Sequence, residues 1–327
     1  MHVNVVPRVG GVGIAAGILA GAAALGWNHP TMWERLGLLA VCAAPTLFFG
    51  LNEDFTKSVS PRRRLFATAL SGLFGALLLD AVVVRTGWGW FDGLLAYRGF
   101  ALAATMFTVS GVVNSINIID GMNGLASMCI AMMMAALCYI ALQVGDTLVA
   151  GMSLATFGAT LGFFIWNYPR GLIFLGDGGA YLLGLIFAEL GIMLIWRNPA
   201  VSPLAPLVLV AYPVFETLFT MYRRKVIRGR PMSLPDGIHL HTLIYRRLMR
   251  WAVGRHDAAA LTRGNSMTSP YLWVLCSLAV APGAIWWDNT PVLGFTLLVF
   301  ALIYLRLYWR IVRFKTPVWM SRMVGRH

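Results

Sequence analysis

Residues 99–127 read GFALAATMFTVSGVVNSINIIDGMNGLAS, and the fold follows from the change that occurs halfway along them. The first half is apolar enough to sit in hydrocarbon, where about 20 such residues cross a bilayer as a helix. Asn114, Asn117 and Asp120 then recur at steps of three, followed by Gly121 and Gly124. Steps of three rotate by about 300° on an α-helix, so the three polar side chains share one stripe. Carboxamides and a carboxylate at a membrane edge are costly to keep and mark functional positions. The Asn residues alone suit helix–helix hydrogen bonding equally well. Asp120 and the two glycines, which let the backbone leave the helix and approach a ligand, turn the reading towards a site.

The rest of the 327-residue chain repeats the apolar half of this pattern. It is 58% hydrophobic and 12% charged, with mean hydropathy +0.71. Roughly ten stretches are long enough to span a bilayer. They lie near 11–27, 33–51, 65–86, 99–116, 124–143, 148–168, 179–196, 204–221, 270–287 and 290–308. Lipid offers no partner to unpaired backbone groups, so the expected fold is all-α, a polytopic membrane helix bundle forming one domain over 1–327. Residues 222–269 are expected to be a cytoplasmic loop with a helix-like piece at 243–251. With these spans only Arg35, Arg85, Arg98 and Arg197 fall on one side, so the other side is expected to be cytoplasmic, with both termini inside. Trp27, Trp33, Trp88, Trp90, Trp196, Trp286 and Trp287 mark the outer interface and Trp166 and Trp309 the inner one. The net charge of +13 fits this bias and anionic lipid head groups, and no nucleic acid partner is expected. Cys42, Cys129, Cys138 and Cys276 lie inside expected spans without metal spacing and read as free buried thiols. The polar start and the absence of a small-residue cleavage pattern argue against a cleavable leader.

Polar islands gather on the cytoplasmic side, whereas a transporter site is expected near the midplane. In the G-L-N-E-D-F segment, Glu53 and Asp54 leave a span end and face Arg62, Arg63 and Arg64. Mg²⁺ takes oxygen ligands, commonly one or two carboxylates plus substrate phosphates. A solvated charged loop explains that segment equally well. In F-L-G-D-G-G-A-Y, Asp177 lies where a helix N-terminus points its amides, a place that attracts phosphate and that a capping Asp also occupies. In P-D-G-I-H-L-H-T, His239 and His241 would point about 200° apart on a helix, so joint action needs an extended piece after the Pro235-Asp236-Gly237 turn. No further His or Cys completes a zinc set, which leaves phosphate or uracil contacts or a plain loop pair. Arg8 in P-R-V-G-G could contact phosphate or lipid head groups, and Glu216 could anchor the bundle or approach the site.

In this order the islands resemble the polyprenyl-phosphate N-acetylhexosamine-1-phosphate transferase superfamily. The pattern N-x-x-N-x-x-D-G-x-D-G-L is met by Asn114, Asn117, Asp120, Gly121, Gly124 and Leu125. The G-D-x-G block is met at Gly176, Asp177 and Gly179, and the Asn-x-Pro before it at Asn167 and Pro169. The P-V-F-E-T block, the Arg223-Arg224 pair and P-D-x-x-H-x-H follow in order. Four features depart from the pattern: Glu53 in an Asp-Asp pair, Asn123 in place of the second Asp of the long motif, Thr242 in place of a third His, and a start at the Pro-Arg loop where relatives have another span. The sequence after His241 favours the aminosugar branch over the lipid I enzyme of peptidoglycan synthesis.

The resemblance implies transfer of an N-acetylhexosamine-1-phosphate from a UDP-sugar to undecaprenyl phosphate, releasing UMP, to start a lipid-linked surface polysaccharide such as O-antigen. It implies a multi-pass protein of the bacterial inner membrane, a cytoplasm-facing site, Mg²⁺ with Mn²⁺ as its substitute, and room for a homodimer. By the same resemblance Asp177 is the main metal ligand, with Asp120 or Glu53 beside it, and Asp54 orients or deprotonates the lipid phosphate. Asn114, Asn117 and Asn167 would hold carboxylates and substrate, His239 and His241 would contact diphosphate or uridine, and Arg223 and Arg224 are weaker anion contacts. Asn123→Asp is expected to be tolerated if the position only shapes a turn. The competing classes are a transporter or flippase of lipid-linked intermediates and an inactive family member.

Overall fold

A computed structural model describes residues 6–227, 238–249 and 258–313, and nothing but helices, turns and irregular backbone occurs among them. The helices are α1 (Gly10–Asn28), α2 (Trp33–Thr56), α3 (Pro61–Leu78), α4 (Gly89–Leu95), α5 (Arg98–Ile119), α6 (Leu125–Gln143) and α7 (Thr147–Asn167). They continue with α8 (Gly176–Arg197), α9 (Leu204–Leu209), α10 (Ala211–Tyr222), α11 (Leu240–Ile244), α12 (Ala258–Ile285) and α13 (Thr290–Val312). Eight of the described helices are long and apolar enough to cross a bilayer.

The two other expected spans differ for local reasons. Helix α3 stops at Leu78, where Asp80 takes a positive φ and the chain runs extended, so the stretch 65–86 is helical only in its first part. The stretch 204–221 is two helices broken at Val210. Helix α12 begins well before the expected 270, with Pro270 and Pro282 inside it. Its first half is polar, and that polarity made it read as loop.

Helix α8 is the axis of the bundle. Every residue from Gly178 to Leu194 is buried, and α1, α2 and α5 pack around it. Glycines let α1 and α2 meet α8 closely at one end. A Cβ on Gly11 would stand 2.5 Å from the Gly179 nitrogen, and one on Gly50 would stand 2.7 Å from the Gly178 Cα. The segment before α1 pairs with the segment before α8: the Phe174 amide donates to the Pro7 carbonyl at 3.0 Å, and the Gly10 amide to the Phe174 carbonyl at 3.1 Å. At the opposite end Asp146 caps α7 and accepts from Arg197 at 2.7 Å, while Arg85 donates to the carbonyls of Ile195, Asn198 and Val201 where α8 ends. Trp27, Trp88 and Trp90 are all exposed, as interfacial aromatics should be.

Candidate active site

Polar islands far apart in sequence meet at the end of the bundle where α2, α5 and α7 finish and α8 begins. A cleft of about 510 Å³ opens there. Arg8, Asn117, Asp120, Asn167 and Asp177 line it, together with Asn123 and Asn265. The two candidate metal carboxylates thus share one space, contributed by the residue that follows α5 and the first turn of α8.

Asp120 caps the C-terminal end of α5 beyond the membrane-crossing part. Burial pushes its carboxyl up to about 7, the charges of Asp177 and Asp54 push the same way, and Arg8 opposes them. Removing water disfavours the charged form, and like charges add to that cost. Asp177 is partly buried and accepts from Arg64 Nη1 at 2.5 Å. Sequence reading placed Arg64 only among charges facing the acidic pair; the fold sets it on Asp177 instead.

Asp54 stands behind the cleft. Its Oδ1 accepts from the Asp177 amide at 2.9 Å and its Oδ2 from the Gly178 amide at 2.8 Å, with Lys57 Nζ at 3.8 Å. The carboxylate therefore caps α8 from a neighbouring helix. Gly176, at φ 74°, lets the chain pass over it, because a Cβ there would lie 2.5 Å from Asp54 Oδ2. Glu53 accepts from the Val59 amide at 2.9 Å and does not line the cleft. Of the residues expected to bind metal, Asp120 and Asp177 are brought together and Glu53 is turned to the α2–α3 connection.

The carboxamides divide by role. Asn114 donates to the Ser110 carbonyl of its own helix at 2.8 Å, whereas Asn117 lines the cleft. Asn167 Oδ1 accepts from the Gly124 amide at 2.5 Å and its Nδ2 donates to the Ile173 carbonyl at 2.8 Å, so it ties the α5–α6 turn to the segment that leads into Asp177. Gly124, at φ 74°, makes that turn.

Asn123 donates through Nδ2 to the Pro169 carbonyl at 3.2 Å and to Ser266 Oγ at 3.3 Å. From α12, Asn265 Oδ1 accepts from the Asn123 amide at 2.7 Å, Ser269 donates to the Asn123 carbonyl at 2.6 Å, and Trp273 donates to the Gly124 carbonyl at 3.1 Å. These α12 residues escaped sequence reading. The available signal was their spacing, since Asn265, Ser269 and Trp273 recur at steps of four on one helix face.

His239 is the extended residue preceding α11, and His241 lies in that helix. Their rings stack in parallel with centroids 5.4 Å apart, so the pair acts as one surface although the segment is not extended throughout. The Nε2 edge of His241 abuts Gly121, where a Cβ would lie 2.3 Å away. Burial pulls the His241 imidazole down to about 4, against the opposing charge of Glu216. Arg223 donates to the Ile238 carbonyl at 2.7 Å and to the Tyr308 hydroxyl at 2.5 Å, which anchors the His segment. Pro235, Asp236 and Gly237 lie outside the described residues.

Hard oxygen donors on a shared cleft suit a divalent cation that keeps ligand positions for water or substrate phosphate. No group of three or more His, Cys, Asp or Glu side chains able to hold a metal occurs among the described residues. A cation here would rest on Asp177 and Asp120, with the carboxamide of Asn117 beside them. The guanidinium already on Asp177 shows that this carboxylate attracts positive charge.

The fold and the cleft define a multi-pass membrane protein with an acidic, carboxamide-lined site at one end. Residues 36–195 match the model of glycosyl transferase family 4. It is 28% identical over 251 residues to a Bacillus subtilis protein named probable undecaprenyl-phosphate N-acetylglucosaminyl 1-phosphate transferase, with 74% of this chain and 66% of the relative aligned. It is 29% identical over 255 residues to the Escherichia coli K12 undecaprenyl-phosphate alpha-N-acetylglucosaminyl 1-phosphate transferase, with 75% and 66% aligned. A Thermotoga maritima protein of the same name is 25% identical over 252 residues, with 76% and 72% aligned. The chain thus spans just under two thirds of the length of the first two relatives.

Proposed function

We propose that this protein transfers an N-acetylhexosamine-1-phosphate from a UDP-sugar to undecaprenyl phosphate and releases UMP. The observation that carries this reading is the meeting of Asp120, Asp177, Asn117 and Arg8 on one cleft at a bundle end. A polar nucleotide and the phosphate of a lipid can both reach such a place. The relatives' names supply N-acetylglucosamine as the first sugar to test.

In this reaction a phosphate oxygen of the lipid attacks the sugar-bearing phosphorus, and the bond from that phosphorus to the UMP oxygen breaks. The second pKa of a phosphate monoester is near 6, so the nucleophile is largely ionised at neutral pH. The protein's task is positioning and charge compensation. A bound Mg²⁺ would supply charge neutralisation on the diphosphate, held by Asp177 and Asp120. Arg8, on the same cleft, offers a guanidinium to the diphosphate. Asn117 offers a neutral donor and acceptor. Asp54 holds the backbone of Asp177 and Gly178, which sets the direction of the Asp177 side chain. This moves Asp54 from proton handling to positioning, since both its oxygens already accept from α8.

We place the cleft on the cytoplasmic side of the bacterial inner membrane, where UDP-sugars are made, on the strength of the basic residues around Arg62–Arg64 and Arg223–Lys225. The test is purified protein in lipid nanodiscs with undecaprenyl phosphate, Mg²⁺ and a panel of UDP-N-acetylhexosamines. UMP release that requires the lipid supports the reading. A folded protein that releases UMP with none of them refutes it and favours an inactive or transporting relative.

A further inference from the structure

Glu216 lies on α10, outside the segment that the family model matches, and is wholly buried. A buried carboxylate persists only when donors surround it. Three groups supply them. Tyr304 of α13 donates its hydroxyl to Oε2 at 2.8 Å, the Leu240 amide donates to Oε1 at 3.2 Å, and His239 Nδ1 stands 3.0 Å from Oε1. Thr220 Oγ1 is a more distant neighbour of the same ring nitrogen at 3.4 Å. The His239 side chain keeps 14% of its surface exposed while that of Glu216 keeps none, so the ring links a sealed carboxylate to the protein surface. Tyr212 and His241 also act on Glu216, and Arg223 acts on Tyr304. The parallel stack on His241 fixes the plane of the ring.

A carboxylate facing Nδ1 keeps the proton on that nitrogen and leaves Nε2 as the working edge. Outer carboxylates orient histidines that bind metals in the same way. We infer that Glu216 is a positioning residue: with Tyr304 it holds His239 by Nδ1, so that Nε2 donates to a phosphate oxygen of the nucleotide diphosphate. This rests on the transfer reading above. It gives α10 and α13 a part in nucleotide recognition, besides their part in the bundle.

A purely structural Glu216 would lower stability without any special link to His239, and a double-mutant cycle separates the two cases. The probe is UDP, titrated calorimetrically into the full chain in nanodiscs, with folding checked by thermal denaturation. Glu216→Gln and His239→Gln are each expected to weaken UDP binding by about tenfold, and the double variant by no more than either alone. Glu216→Asp should restore part of the loss. Tyr304→Phe, the milder change, should weaken binding by about threefold, again with no further loss on His239→Gln. Losses that multiply, or a folded Glu216→Gln or Tyr304→Phe variant with wild-type affinity, would overturn the inference and leave the transfer reading standing. A wild-type chain that does not bind UDP would overturn both.

Discussion

At the scale of single residues, Asp177 is the proposed centre of the chemistry. Its carboxylate faces the cleft, its amide rests on Asp54, and its charge is met by Arg64. Asp177→Asn is expected to lower UMP release by at least about 100-fold and to flatten its dependence on Mg²⁺ concentration. Near-normal turnover in a Mg²⁺ titration would remove Asp177 from the site. Asn123 leads to a different expectation from the one its place in the motif suggested. It does shape a turn, but it does so as a donor to the Pro169 carbonyl and Ser266. An Asp cannot donate there and would bring a carboxylate towards a carbonyl oxygen, so Asn123→Asp should cost about 1–3 kcal/mol of stability. Denaturation midpoints would show it, and an unshifted midpoint would refute the account of this turn. His241 sets an acid limit. Its folded-state value, about 4, lies below the ordinary 6.5 of histidine, so the unfolded chain binds the proton more readily. The stability it contributes is complete above pH 6.5 and is lost as pH falls towards and through 4. In His241→Gln the loss of stability between pH 6.5 and 4 should be smaller than in the wild type, as thermal scans at a series of pH values would reveal.

At the scale of elements, the close meeting of α1, α2 and α8 holds the cleft in shape. Gly50 and Gly11 permit that meeting, and Asp54 caps α8 from α2. A methyl group on Gly50 would enter the backbone of Gly178, so Gly50→Ala should wedge α2 away from α8 and cost about 1–3 kcal/mol. It should also lower turnover, because Asp54 would lose its place under the Asp177 amide. Full activity in Gly50→Ala would show that this contact does not set the site. The helices and most of the islands were legible in the sequence, because apolar runs and membrane-edge carboxylates leave strong composition signals. The roles of the islands were less legible. Asn114 and Asn117 share a stripe, yet one bonds its own helix and the other faces the cleft, since a stripe is wider than the cleft's edge. Glu53 and Asp54 are adjacent, yet one serves a connection and the other a helix terminus, because neighbours on a helix point about 100° apart. The polar first half of α12 read as loop because only its partner, the 120–124 turn, explains why a helix there carries Asn265, Ser266 and Ser269.

At the scale of the molecule, the bundle joins a membrane-crossing body to one polar end. Arg64 stands on Asp177, Arg8 acts on Asp120, and Arg223 anchors the His segment, so basic side chains converge where the acids lie. That asymmetry is the basis for expecting the cleft on the cytoplasmic side with both termini there, which reporter fusions at the two ends would check. The central claim is that sugar and phosphate move together to the lipid. It is tested most directly with UDP-N-acetylglucosamine carrying a radiolabel on the β-phosphate, incubated with the purified protein, undecaprenyl phosphate and Mg²⁺. The account predicts label in the lipid fraction with unlabelled UMP released, and loss of both in Asp177→Asn. Label recovered in free UDP while the sugar enters the lipid would contradict it.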